Sequence, residues 1–394
     1  MENNDLLLFE IIKKTLRNEL YDGELSKELY ILAKENGLSG MVYKTLQPLN
    51  DEQNVLPLFK RDYYEYVRTD TLQSKTIEEV RQIFSASYID HIFLKGSFLK
   101  NIYPETYMRS MGDIDILVKR DKMRLVHQIL DEYKYINWSN SSAHDCFYKG
   151  RKIFLEIHPK LDSEFDPKYS LLFENGWEET TKTASYEYEF KPMFHLAYLL
   201  YHMIKHLSSA GIGLRNILDI GLFVQKYETN LPSKLLHDYL DKFHIDTFFL
   251  NIIYLAISYF NFKYQEDYLA DYQVDAEFTK NITSFILKSG VHGQGKENNP
   301  FLSGMTRTTL SENNIKKGKF IYILSKLFPP YRMMRGGDYA YIDKFPILLP
   351  ISWVHRAFKL IFKKPKNTMT KLKKLKIDDN EVLHLEKLFE KLGL

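Results

Sequence analysis

The chain has 394 residues, of which 44% are hydrophobic and 27% charged; it is long enough for two or three cooperating cores, and a largely disordered chain is excluded. A net charge of +3 is close to balance, so overall charge argues for neither a nucleic-acid nor a membrane partner. The single cysteine, Cys146, excludes an internal disulfide and a multi-cysteine zinc site, and suits a reducing cytoplasm.

The opening MENNDLLLFEIIKK has neither the basic n-region nor the long apolar stretch of a signal peptide, so a cytoplasmic protein is expected. To about residue 85 the period is helical: LLLFEIIKKTL, then ELSKELYILAKENG with Gly37 as a stop, then a long stretch from about 57 to 85. Between about 88 and 190 the pattern changes to short β-branched or aromatic runs. HIFLKG (91–96), DIDILV (113–118), KIFLEIH (152–158) and SYEYEF (185–190) read as strands, with helical FLKNIY and DKMRLVHQILDEYKY between the first three. Such alternation predicts an α+β fold with a mixed sheet flanked by helices.

From Pro192 the helical period returns with FHLAYLLYHMIKHLSSAG and runs through most of the remainder. The organisation expected is an N-terminal helical region over 1–85, a core over 86–190 and a C-terminal helical domain over 191–394 with a basic tail. The polar loop SGVHGQGKENNPF (289–301) carries Gly293 and Gly295, too few for a phosphate cradle, and follows a helix instead of a strand. FPILLPISWV (345–354) is too short to span a bilayer, is broken by Pro346 and Pro350, and is expected to be buried or to start a helix. From Arg356 to Lys376 come Lys359, Lys363, Lys364, Lys366, Lys371, Lys373, Lys374 and Lys376 among Leu, Phe and Ile. That stretch reads either as a solvated helix face or as a contact for an acidic partner, lipid or nucleic acid.

The chemistry is concentrated in MGDIDILV (111–118). In a strand, Ile114, Ile116 and Val118 face one way, while Asp113, Asp115 and Leu117 face the other. Two carboxylates on one apolar strand repel, unless an oxygen-seeking cation such as Mg²⁺ sits between them. The alternative is a strand end with both acids solvated. Upstream, HIFLKGSFLKNIYP reads as a strand, a tight turn at Gly96 and Ser97, and a helix starting near Phe98 whose N–H groups can receive a phosphate. Arg109 either steadies the aspartates, contacts phosphate or lies on the surface. Downstream, KIFLEIHPKL puts Phe154, Glu156 and His158 on one strand face, which offers a third carboxylate. Two divalent cations held about 3.5–4 Å apart by three such acids can bridge a triphosphate and stabilise departing pyrophosphate. His158 is either an orienting residue or a packing histidine.

FLKGSFLKNIYP, MRSMGDIDILV, FLEIHPKL and HMIKHLSSAGIGLRNILDIGLFV together resemble the bacterial family labelled "uncharacterised nucleotidyltransferase". That family lies within the superfamily typified by DNA polymerase β and the aminoglycoside nucleotidyltransferases. The resemblance covers about residues 80–360 and implies a polymerase β-like catalytic sheet. It implies metal ligands at Asp113, Asp115 and Glu156, phosphate contacts at Gly96 and Ser97, Mg²⁺ or Mn²⁺ as cofactor and an NTP as substrate. The spacing from Ser97 to Asp113 is longer than in many relatives, and Glu stands at the third position where Asp is commoner.

In the helical half, His195, His202 and His206 recur at steps of seven and four on one helix face, as a metal site or as a polar seam at a domain contact. Lys205, His206 and Arg215 are placed to reach a triphosphate across a cleft, and Asp219 to pair with Arg215 at i, i+4. The leading expectation is a Mg²⁺-dependent transfer of a nucleoside monophosphate from an NTP to an acceptor hydroxyl or phosphate. The alternatives are a non-catalytic binding or regulatory protein, such as a toxin–antitoxin component, and a DxD glycosyltransferase. The last requires early parallel βαβ units where this chain has helices.

Overall fold

The computed structural model describes residues 3–48, 51–140, 144–150, 153–161, 169, 172–173, 176–264, 267–270, 272–293, 295, 298–334, 337–363, 369 and 373–394. Four helices precede the sheet: α1 (Asn3–Leu16), α2 (Lys27–Glu35), α3 (Ser39–Val42) and α4 (Leu56–Ala86). The apolar period of α1 turns Leu8, Phe9, Ile11 and Ile12 inward. Ser26 caps α2 by accepting from the Leu29 N–H at 3.1 Å, and Gly37 ends that segment at φ +71°, where a side chain would be strained.

The sheet has the strands β1 (His91–Phe93), β2 (Ile114–Val118), β3 (Ile136–Asn140), β4 (Asp145–Lys149), β5 (Ile153–His158), β6 (Thr180–Ala184) and β7 (Glu187–Phe190). Their order is β3-β4-β5-β2-β1-β7-β6, with β2–β5 and β1–β7 parallel and the other pairs antiparallel. The fold is α+β with a mixed sheet, as the alternation of periods predicts. The sequence reading finds four of the strands and misses β3, β4 and β6. INWSN and TTKTA form the two edges of the sheet, where even Ile136 and Trp138 stay more than half exposed and no buried apolar face is required. Helix α5 (Lys95–Leu99) begins earlier than expected, so Gly96 and Ser97 lie in its first turn instead of in a loop before it. Helix α6 (Met123–Glu132) links β2 to β3. Lys152, the expected first residue of β5, lies outside the described residues.

The sheet separates two cores. Ile114, Ile116 and Val118 of β2, with Ile153, Leu155 and Ile157 of β5, pack against Val80, Ile83 and Phe84 of α4 and Val126, Ile129 and Leu130 of α6. Leu117 of β2 and Ile92 of β1 face the opposite way, into a larger core built from α1, α2 and some of the helices after residue 191. The helices after residue 191 are α7 (Pro192–Leu207), α8 (Leu214–Tyr227), α9 (Ser233–Asp241), α10 (Asp246–Phe260), α11 (Ala276–Ser289), α12 (Pro300–Glu312), α13 (Ile315–Leu327), α14 (Tyr331–Met334), α15 (Tyr341–Lys344), α16 (Leu349–Lys363) and α17 (Asp379–Lys391); α7 to α11 and α17 build that core, and Met305 and Tyr322 form a smaller one with Ile377 and Val382. Pro192 opens α7, where its missing N–H costs nothing. The Leu214 N–H at the start of α8 donates to Asn36 Oδ1 at 3.0 Å, tying α8 to the α2 region.

Two stretches of the C-terminal part can be compared with their sequence reading. FPILLPISWV does start a helix, with Pro350 in the first turn of α16, but it is not buried: Phe345, Ile347, Ile351 and Val354 are each more than half exposed. Gly293 belongs to close packing, since a Cβ there would fall 2.4 Å from the Ala210 carbonyl oxygen, and Asn298 Nδ2 donates to that same oxygen at 2.7 Å. Of the basic tail, Lys364, Lys366 and Lys371 lie outside the described residues. Among the described residues no helix is long and apolar enough to cross a membrane.

Candidate active site

Parallel pairing of β2 with β5 sets Asp115 opposite Glu156 and Leu117 opposite His158, so acids two strands apart in sequence share one face. Asp115 is almost wholly buried; its Oδ1 accepts from Lys95 Nζ at 2.6 Å and lies 2.8 Å from His158 Nε2. Glu156 Oε1 and Oε2 lie 3.6 Å from His144 Nε2 and 3.7 Å from His158 Nε2. Asp113, just before β2, shares a hydrogen bond with Glu156.

Electrostatics separates the three acids. Burial, then the charges of Asp115 and Glu156, push Asp113 up to about 7. Burial and the Asp115 charge also raise Glu156. Burial opposes ionisation of Asp115 too, but the Lys95 charge and the His158 hydrogen bond overcome it and hold that carboxyl well below the usual range. Burial lowers His158 to about 4 against the pull of Asp115, so its imidazole is neutral near pH 7. Three carboxylates thus converge on one ammonium and a neutral imidazole, which leaves the cluster negative. Lys95 is held at φ +47°, a left-handed conformation that costs a non-glycine residue about 1–3 kcal/mol.

Oxygen donors with surplus negative charge suit a hard divalent cation such as Mg²⁺. Ligand atoms of Asp115, Glu156 and His158 all lie within 4.8 Å of one another, as do those of His144, Cys146 and Glu156. The second set is the poorer one, because burial and then Glu156 push the Cys146 thiol up to about 12 and keep it protonated. The hard oxygen donors in these sets are Asp115 and Glu156, while Asp113 belongs to neither.

The acids form one wall of a cavity of about 310 Å³. Gly96, Met111 and Gly112 complete that wall. At Gly96 a Cβ would stand 3.0 Å from Met111 Cβ, so glycine keeps this turn close to the strand loop. Tyr198, His202, Lys205 and His206 of α7 and Arg215 and Asp219 of α8 face the acids across the cavity. The sequence-derived residues Asp113, Asp115, Glu156, Gly96, Arg109, Lys205, His206 and Arg215 all line this one cavity.

Ser97 and His195 do not line it. Ser97 is buried with its Oγ 4.0 Å from Met111 Sδ. His195 packs among Phe98, Phe223 and Phe190, with ring centroids at 4.2, 5.2 and 5.5 Å, and burial lowers it to about 3. The three histidines of α7 therefore divide: His195 belongs to the aromatic core, while His202 and His206 pair at 3.1 Å between Nε2 atoms on the cavity wall.

Arg109 is buried, not superficial, and forks onto Asp219: Nε to Oδ1 at 2.8 Å and Nη2 to Oδ2 at 2.9 Å. Tyr103 OH donates to the same Oδ1 at 2.7 Å. Arg109 thereby takes the carboxylate expected to pair with Arg215, and Arg215 Nη1 donates instead to the Ser110 carbonyl at 2.8 Å and the Ser110 Oγ at 3.0 Å. Burial and the Arg109 charge lower Arg215 to about 10.

Sequence reasoning missed Lys95 and His144. A lysine inside the apolar run HIFLKG, immediately before the glycine, is a signal that would have found the first; His144 sits in a polar stretch with no such mark.

A family model described as "Uncharacterised nucleotidyltransferase" matches residues 23–261. No curated protein and no solved structure matches the chain. The family match spans more than half of the sequence, and the chain belongs to this nucleotidyltransferase family.

Proposed function

We propose that this family member transfers a nucleoside monophosphate from an NTP to a hydroxyl or phosphate of its acceptor, with Mg²⁺ held by Asp113, Asp115 and Glu156 and pyrophosphate leaving. The observation that carries the reading is the cluster of the buried Asp115 with the half-buried Asp113 and Glu156, lining one cavity together with Lys205 and Arg215. Bound there, a divalent cation would supply charge neutralisation and lower the pKa of an attacking oxygen.

The protein's own groups do the rest. Asp115 is kept ionised by Lys95 and His158 and so presents a ready donor oxygen. The neutral His158 imidazole fixes the orientation of that carboxylate without adding charge. Glu156, whose carboxyl is raised by burial and the Asp115 charge, would serve as the base that takes the proton of an acceptor hydroxyl. Lys205 and Arg215 supply positive charge where a triphosphate enters across the cavity. The Arg109–Asp219 clamp fixes the loop before β2 against α8, and so sets the width of the cleft.

Incubation with NTP labelled at the α-phosphorus or at the γ-phosphorus, in Mg²⁺ with fractionated cell extract as acceptor source, tests the reading. Label from the α position alone is expected in the product, with loss in Asp113→Ala/Asp115→Ala. Transfer of γ label would mean a kinase, and turnover of sugar nucleotides with Mn²⁺ a glycosyltransferase. Either outcome contradicts the proposal.

A further inference from the structure

Helix α16 is amphipathic in an unusual sense. Its inner face is docked: Ser352 is buried, Trp353 Nε1 donates to the Pro329 carbonyl at 2.8 Å, Arg356 Nη1 donates to the Lys326 carbonyl at 2.8 Å, and Lys359 pairs with Asp338. The outer face is an apolar stripe in which Ile351, Val354, Phe358 and Ile361 recur at steps of three and four, with Phe362 beside them one turn after Phe358, each more than half exposed. Phe358 and Phe362 stack on one another with ring centroids 5.6 Å apart, so the stripe is pre-assembled. Ile347, just before the helix, continues it. A contiguous apolar stripe of this kind on a folded chain marks a surface that something else covers.

Charge identifies the cover. From Lys344 to Lys376 the chain has no Asp or Glu, while Lys and Arg recur throughout, even though the protein as a whole is nearly neutral. We infer that the outer face of α16 lies in the interface of an anionic lipid bilayer, its Ile, Val and Phe side chains in the acyl boundary and the acid-free, basic stretch of sequence that follows it attracted to the headgroups. Nucleic acid would satisfy the cations but leave the aliphatic stripe in water. A second copy on the same face would bring two cation-only segments together. A bilayer with acidic headgroups satisfies both features at once. The inference is independent of the nucleotidyl-transfer reading.

Flotation of the full chain with vesicles tests it. Vesicles of phosphatidylcholine containing phosphatidylglycerol are expected to carry the protein, and vesicles of phosphatidylcholine alone are not. Raising salt is expected to weaken the binding. Phe358→Glu/Phe362→Glu, which changes only exposed side chains, is expected to cut the bound fraction about tenfold or more with an unchanged melting temperature. The wild-type comparison of the two vesicle types holds whether or not the variant folds. The inference is overturned if anionic vesicles carry no more protein than neutral ones. It is also overturned if the double substitution abolishes binding to a single-stranded RNA, or dissolves a dimer, instead of releasing vesicles.

Discussion

Arg109 and Asp219 are as deeply buried as Asp115 and line the same cavity, yet the two clusters are built differently. On the α8 side, one guanidinium forks onto one carboxylate, and a tyrosine hydroxyl completes that acid's hydrogen bonds. The Arg109–Asp219 pair is neutral in itself, with the Arg215 guanidinium beside it, and it fastens the loop before β2 to α8. On the sheet side, Asp113, Asp115 and Glu156 share a single ammonium, and two of the three carboxyls are raised by burial and mutual repulsion. Burial of charge is common to both, so burial alone does not mark chemistry. The proposed role rests instead on the like charge gathered on the sheet side, which is the kind of arrangement that functional sites concentrate.

Breaking the balanced cluster has the largest consequence for the fold. Arg109→Met would leave Asp219 buried without its ion-pair partner and is expected to lower unfolding free energy by about 3–5 kcal/mol in denaturant titration. A loss below about 1 kcal/mol would make the pair dispensable and the contrast empty. On the unbalanced side the cost is expected in turnover instead. Glu156→Gln should reduce nucleotidyl transfer about 10²-fold at nearly unchanged stability, and equal losses of both would make the trio a structural element like its neighbour.

Asp113→Asn sharpens the contrast, because here removing a charge should help the fold. The folded-state pKa near 7 exceeds that of the unfolded chain, so over the interval between them the folded wild type binds more protons, and its stability falls as pH rises. In metal-free buffer the variant should therefore melt above wild type, by a gap that grows from about pH 4 to about pH 7 and then levels. A pH-independent gap would contradict the assignment. The smallest effect is expected at His195, whose folded pKa of about 3 lies below that of the unfolded chain. Its contribution is present above about pH 6.5 and is lost as pH falls from there toward 3, so His195→Leu should flatten the acid limb of the stability curve and leave turnover alone.

Much of the unbalanced cluster was legible because a strand's parity is local. The alternation in DIDILV and KIFLEIH places the acids on one face and Ile114, Ile116 and Val118 on the other, as the two cores bear out. The residues after the first strand were harder to read. The end of β1 at Phe93 and the start of α5 at Lys95 turn on a single lysine in a left-handed conformation, which no periodicity announces. The balanced cluster was misread for a related reason. Local spacing offers Arg215 as the partner of Asp219, whereas Arg109, 110 positions away, reaches it only through the packing of α8 on the sheet. Edge strand β6 lacked the apolar alternation that reveals buried strands, and β3 offered only Ile136 and Trp138 in a short, mostly polar run. FPILLPISWV left burial and a helix start open, and it starts a helix with its side chains exposed, because apolar composition does not say which surface will cover a side chain.

The most direct measurement is the melting temperature of the wild type and of Asp113→Ala/Asp115→Ala with NTP alone, Mg²⁺ alone and the two together. If the carboxylate trio receives a cation that in turn receives the triphosphate, NTP with Mg²⁺ stabilises the wild type well beyond either alone, and the double variant loses that increment. An increment that NTP gives without the cation, or that survives in the double variant, would contradict the account.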